Sequence, residues 1–186
     1  MSAPRPSVLR GIVRLAQFRA DGFAEFTPSR AAFLNSLAPL IAFPLVGAGL
    51  MLAGGGGVAA LSDLLATAVA LLGPPVISFA LAAAWGRESA WLRYAVAFNW
   101  CQWTLPVVAV LLLMALGMLM RVTGIGQSVG AVVFLLGLLG YGLGLHWFLA
   151  RRGLGLSGGR AAAFVVAVNL GTGLLVLGPR MLANDL

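Results

Sequence analysis

The sequence predicts an all-α integral membrane bundle of five transmembrane helices preceded by an amphipathic interfacial helix, and three observations carry that expectation. The chain of 186 residues is 61% hydrophobic and 9% charged, with a mean hydropathy of +1.00. That leaves too little polar surface to coat a soluble domain of this size. Five apolar runs approach or exceed the roughly 20 residues of helix needed to cross a hydrocarbon core of about 30 Å. All twelve basic residues are arginine, and ten of them fall in alternate gaps between those runs. The runs are continuously apolar, whereas strands of a barrel would alternate apolar and polar at every second residue.

The first element is a cytoplasmic arm over residues 1–30. At 100° per residue, Arg10, Arg14, Gln17 and Asp21 gather on one side of a helix, with Val8, Leu9, Ile12, Leu15 and Ala16 opposite. Such a helix is expected to lie in the headgroup layer, with Arg10 and Arg14 contacting anionic lipid headgroups. Arg19 falls near the apolar side, so the helix is expected to end before it or the side chain to snorkel. Thr27 as N-cap and Pro28 at the first helical position then start a separate element.

The transmembrane domain covers 31–178, with spans at about 31–53, 58–85, 91–120, 127–150 and 161–178, followed by a short outer tail at 179–186. Gly54–Gly57 reads as a tight turn between the first two spans; with no following Lys or Ser/Thr and no preceding strand it is not a phosphate cradle. Breaks are expected at Pro44, Pro74-Pro75 and Pro106, where hydrogen bonds are lost. At about thirty residues, or roughly 45 Å, the third run is too long for the hydrocarbon and must tilt, kink at Pro106 or begin in the interface at Trp91.

Orientation follows from charge. Arg5, Arg10, Arg14, Arg19, Arg30, Arg87, Arg93, Arg151, Arg152 and Arg160 share one side, against Arg121 and Arg180 on the other. The positive-inside rule therefore places the N-terminus in the cytoplasm and the C-terminus outside. The same rule accounts for the net charge of +7 without a nucleic-acid partner, and no aromatic-interleaved basic surface is present. No cleavable signal peptide is expected, because about thirty polar or mixed residues precede the first run, which itself exceeds a signal h-region in length. The single Cys101 excludes an intramolecular disulfide. Arginine without lysine, in a chain rich in Ala, Gly, Leu and Val, suggests a GC-rich bacterial genome, hence a bacterial inner membrane.

Few polar residues fall within the spans, so those present define the candidate site. Asn35, Asn99, Gln102, His146 and Asn169 are expected to form a polar cluster in the cytoplasmic half. His146 is five residues from Arg151, roughly 7 Å inside the boundary, and Asn99 and Gln102 share a helix face. The cluster reads either as a small-solute site or as interhelical hydrogen bonds worth about 1 kcal/mol or less each; the second reading is favoured. Asp63, the one acid inside a span, fits a helix start near the outer interface. A lone His with no His or Glu four residues away predicts no metal, and no paired acids or Ser/His constellation predicts catalysis or a cofactor. Gly137, Gly140 and Gly144 in the fourth span are candidate helix-packing positions, within the bundle or against another copy.

The junction Tyr141-x4-His146-Trp147, then Gly153-Leu154-Gly155-Leu156-Ser157-x2-Arg160-Ala161, resembles bacterial Yip1-type membrane proteins, as does the five-span topology. The resemblance covers topology over most of the chain and local pattern over about twenty residues. The Asp-Leu-Tyr-Gly-Pro-like segment of trafficking members is absent. The resemblance implies a polytopic fold with no assigned activity. The expected function is that of a non-enzymatic membrane scaffold or interaction partner, whose partners are the bilayer and either further copies or other membrane proteins. The alternative is a small oligomeric transporter or channel subunit with a polar site in the cytoplasmic half.

Overall fold

The computed structural model describes residues 6–55 and 57–184, with side chains except at 58–61 and 179–184. Arg5 and the side chain of Arg180 therefore lie outside the described residues, as does the outer tail apart from its backbone to 184. The described chain is helical, without strands: α1 (Val8–Ala16), a short 3-10 helix (Ala20–Glu25), α2 (Arg30–Ala53), α3 (Gly57–Ala84), α4 (Glu88–Cys101), α5 (Thr104–Thr123), α6 (Gln127–Gly153) and α7 (Gly158–Asn184). Five stretches are long and apolar enough to cross a membrane: Arg30–Ala53, Ser62–Ala84, Glu88–Thr123, Gln127–Gly153 and Gly158–Gly178. Their limits follow the apolar runs within a few residues.

The start of α2 differs from expectation. Ser29, not Thr27, is the N-cap: its backbone is extended at φ −129°, ψ 155°, and its hydroxyl accepts from the Ala32 N–H at 3.1 Å. Pro28 precedes the cap rather than opening the helix.

The prolines act unequally. α2 and α3 continue through Pro39, Pro44, Pro74 and Pro75, which corrects the expected breaks at Pro44 and Pro74-Pro75. In α3 the turn is held from outside, because Gly73 packs against Thr172, and Ile77 against Gly171, both on α7. Pro106 does interrupt the third span, one turn upstream. Lacking an N–H, it leaves the Gln102 carbonyl without its usual donor, and the helix yields at Gln102–Trp103. The Leu105 N–H takes the Gln102 carbonyl at 3.2 Å, and the Thr104 hydroxyl donates to the Cys101 carbonyl at 2.7 Å. α5 alone, 20 residues long, then measures about 30 Å, enough to cross a hydrocarbon core by itself.

The principal contacts run in the order α2, α3, α7, α6, α5, an open arc in which α5 touches chiefly α6. α4 fits between α2, α3 and α6 and is buried along Tyr94, Ala95, Val96, Ala97, Asn99 and Cys101. With Phe148, Leu149, Ala150, Phe164 and Val168 it makes the core. Below Thr104, α5 buries no residue. The apolar packing is thus concentrated at one end of the bundle, around α4.

The arginine-rich segments gather at that same end. Gly155, in the turn between α6 and α7, approaches the Arg87 guanidinium in the turn between α3 and α4. The N-terminal arm folds over the bundle end by the Tyr141 hydroxyl, which donates to the Ala16 carbonyl at 3.0 Å, and by Phe23, which packs on Gly153. The arm is a folded unit. Gly11 lets the Phe26 ring come within 2.6 Å of where a Cβ would stand, and Leu15 is fully buried. Glu25, 9% exposed, accepts from the Ser7 N–H at 2.9 Å and from Arg14 at 3.3 Å, with Arg10 at 3.5 Å.

α1 ends at Ala16, ahead of Arg19. Phe18 follows with φ 59°, a left-handed conformation costing a bulky residue about 1–2 kcal/mol. Its ring stands edge-on to Tyr141 and Phe148 at 5.8 and 5.5 Å, contacts that hold the reversal in place. The apolar side of α1 is therefore divided: Leu15 and Ile12 turn to protein, while Leu9 and Val13 remain exposed.

Candidate polar site at the buried helix

α4 brings its polar residues to three neighbours. Asn99 donates to the Ser36 hydroxyl on α2 at 2.9 Å, and Ser36 donates to the Phe33 carbonyl at 2.6 Å. The Trp91 indole N–H donates to Ser78 on α3 at 3.0 Å. Tyr94 meets His146 on α6, with its hydroxyl 2.9 Å from Nε2. His146 Nδ1 lies 3.2 Å from the Asn169 amide nitrogen on α7, whose other N–H goes to the Val165 carbonyl at 2.8 Å. Since that amide must donate, the network assigns His146 as the Nε2–H tautomer. Phe98 and Phe164 close on the imidazole at centroid distances of 4.7 and 6.2 Å.

The structure therefore joins His146 to Asn169 and places Asn99 in a separate pair. Gln102 lies beside His146 and Asn169 in the wall of a cavity, and its amide makes no hydrogen bond among the described residues. Asn35 is not in the cluster. It is exposed, because one residue along a helix is a turn of about 100°; Ser36 takes the inward position. Tyr94 and Ser36 complete the network; Ser36 is one of the polar residues of the first span but not of the expected cluster, and Tyr94 is in neither. Tyr94 follows Arg93 directly and resembles an interfacial aromatic; its spacing of four from Phe98 on a polar-aromatic helix was the available signal.

The cavity has a volume of about 320 Å³. Its wall combines Phe98, Cys101 and Gln102 at the end of α4 with a leucine-rich face of α6 running from Leu135 to Leu149, and with Asn169. Among the described residues no group of three His, Cys, Asp or Glu side chains converges as a metal centre would need.

The glycine candidates on α6 meet their neighbours unequally. Gly140 has nothing within 4 Å, Gly137 meets Leu112 of α5 at ordinary contact distance, and Gly144 meets the Phe18 ring. Closer contact occurs between α3 and α7, where a Cβ on Gly73 would stand 3.2 Å from Thr172 and one on Gly171 would stand 2.9 Å from Ile77, and between α6 and α5, where one on Gly130 would stand 2.6 Å from the Met120 sulfur. Gly-x-x-x-Gly spacing shows only that small residues share a face, and the position of the neighbouring helix decides which face is used. Arg10 and Arg14, expected at lipid headgroups, are engaged by Glu25, and Arg14 also by Asp21 at 3.6 Å. Comparison with family models, with curated proteins and with solved structures finds no match to this chain.

Proposed function

We propose that the chain is a multi-pass protein of a bacterial inner membrane, with its N-terminus cytoplasmic and C-terminus outside, acting without catalysis as a Yip1-like scaffold or interaction partner. The observation that carries this reading is α5. Joined to the rest of the bundle chiefly through α6, it offers Val110, Met114 and Met118 on one exposed stripe at helical spacing. Methionine-bearing apolar stripes adapt readily to a partner helix. The polar side chains support the same reading, since Asn99 with Ser36, and Tyr94 with His146 and Asn169, pair with one another across helices. The cavity beside Gln102 favours the alternative, a small oligomeric transporter subunit.

A photo-crosslinking residue at Met114 or Met118, activated in intact cells, tests the proposal. A discrete protein adduct, either of a second copy or of one other membrane protein, is expected at both positions. Lipid adducts alone at both would overturn the scaffold reading. Substrate-dependent flux in vesicles containing the purified chain would instead establish transport. Tags at the two ends should report opposite compartments.

A further inference from the structure

We infer that the cavity beneath α4 is a binding site for an uncharged single-chain amphiphile carrying a hydroxyl head, taken laterally from the bilayer. The inference is independent of any partner on α5.

The polar end of the cavity has a defined set of unused groups. Both nitrogens of His146 are engaged, Nε2 by Tyr94 and Nδ1 by Asn169. The Asn169 nitrogen is also spent, on His146 and on the Val165 carbonyl, which leaves its carbonyl oxygen as an acceptor. The Gln102 amide brings two N–H donors and a carbonyl into the same wall. In an apolar medium such groups cost several kcal/mol when unpaired. A hydroxyl answers both at once, donating to the Asn169 oxygen and accepting from the Gln102 N–H.

The lining discriminates against other heads. No Arg, Lys, Asp or Glu contributes to the wall, so a carboxylate or phosphate would be desolvated with no counter-charge and would also face the Asn169 oxygen. The remainder is apolar, and Leu135, Leu139 and Leu143 are 55%, 50% and 47% exposed, so the leucine wall is open on its flank to the surface that lipid would cover. A volume of about 320 Å³ is at the lower end of small-molecule sites, roughly 300–1,000 Å³. It suits one chain and a compact head, not a two-chain phospholipid.

The full chain in phosphatidylcholine nanodiscs, labelled with a diazirine-bearing monoacylglycerol and mapped by mass spectrometry, tests the assignment. Labelling is expected to saturate and to concentrate between Leu135 and Leu149. Excess monoacylglycerol or long-chain alcohol should displace it, and the matching fatty acid at neutral pH or an alkane should not. Gln102→Leu, which keeps volume but removes the donor, should weaken labelling by roughly fivefold or more. Leu139→Trp, introduced from the exposed side, should block it while leaving the core of α4 untouched, so a folding failure of the first variant does not decide the outcome. Even labelling over exposed residues of α5 and α6, unchanged in both variants, would overturn the proposal, as would equal displacement by fatty acid or alkane.

Discussion

Replacing Glu25 by Gln should loosen the N-terminal arm while leaving the helical bundle intact. The carboxylate holds the Ser7 N–H at 2.9 Å and the Arg14 guanidinium at 3.3 Å, with Arg10 at 3.5 Å. Hydrogen bonds to a charged group contribute about 1.5–3 kcal/mol each, against about 1 kcal/mol for a neutral one. An amide of the same shape retains one oxygen and so one neutral bond. Arg10 is 44% exposed and its share is below about 1 kcal/mol. The net loss is at least about 2 kcal/mol, and because 1.4 kcal/mol is tenfold, opening of the arm should rise by roughly 30-fold or more. Amide hydrogen exchange over residues 8–16 reads this as lost protection, with α4 and α6 amides unaffected. Protection of α1 unchanged within about twofold would refute the claim that Glu25 holds the arm, and would assign its docking to Leu15, Phe23 and Phe26 alone.

Gly11→Ala sets two effects against each other: alanine favours a helix by about 1 kcal/mol, but its Cβ would stand 2.6 Å from the Phe26 ring. Overpacking at about 1–3 kcal/mol wins, so arm protection should fall, and Phe26→Leu should restore it in the double variant. Ser29→Ala removes the cap on α2 and should cost about 1 kcal/mol, visible as faster exchange of the Ala32 and Phe33 amides. Asn99→Leu severs the link between α4 and α2 and should lower stability in detergent by about 0.5–2 kcal/mol, measured by denaturant titration. Asp21 is held below the ordinary carboxylate range, first by the hydrogen bond from Arg19 and then by the charges of Arg19 and Arg14, against desolvation that opposes them. A depressed folded-state value means that its contribution is complete above the unfolded value and is lost as pH falls through the folded one. Arm protection, corrected for intrinsic exchange, should therefore be insensitive to this group near neutrality and decline only in acid below the ordinary carboxylate range.

Much of the fold was legible because the signals were of the kind that sequence carries directly. Run length and continuity marked all five long apolar helices, and of the two outcomes that Arg19 allowed, a snorkelling side chain or a helix ending before it, the structure shows the second. Proline was read less well. The ring removes a bond wherever it occurs, yet α2 runs on through Pro39 and Pro44 and α3 through Pro74 and Pro75, the latter pair in a turn clasped against α7, and the helix yields at Pro106. For the candidate site, the sequence marks His146 and Asn169 as polar residues of adjacent spans, which the structure joins at 3.2 Å, whereas it does not mark that Ser36 rather than Asn35 faces inward or that Tyr94 reaches His146. One residue of helical phase separates a buried position from an exposed one, and a run that is apolar on every side carries no marker of phase.

Composition and order along the chain determined by themselves that this protein consists of long apolar helices with arginine gathered in alternate connections, because hydropathy and charge are sums over neighbouring residues. Only the tertiary structure decided that α4 is the buried centre, that α3 and α7 share the most extensive seam, that Arg10 and Arg14 close on Glu25, and that Gln102 is left facing a cavity. Each of those depends on which faces of distant segments meet, and that is settled by packing among all the helices together, where a shift of one residue exchanges core for surface.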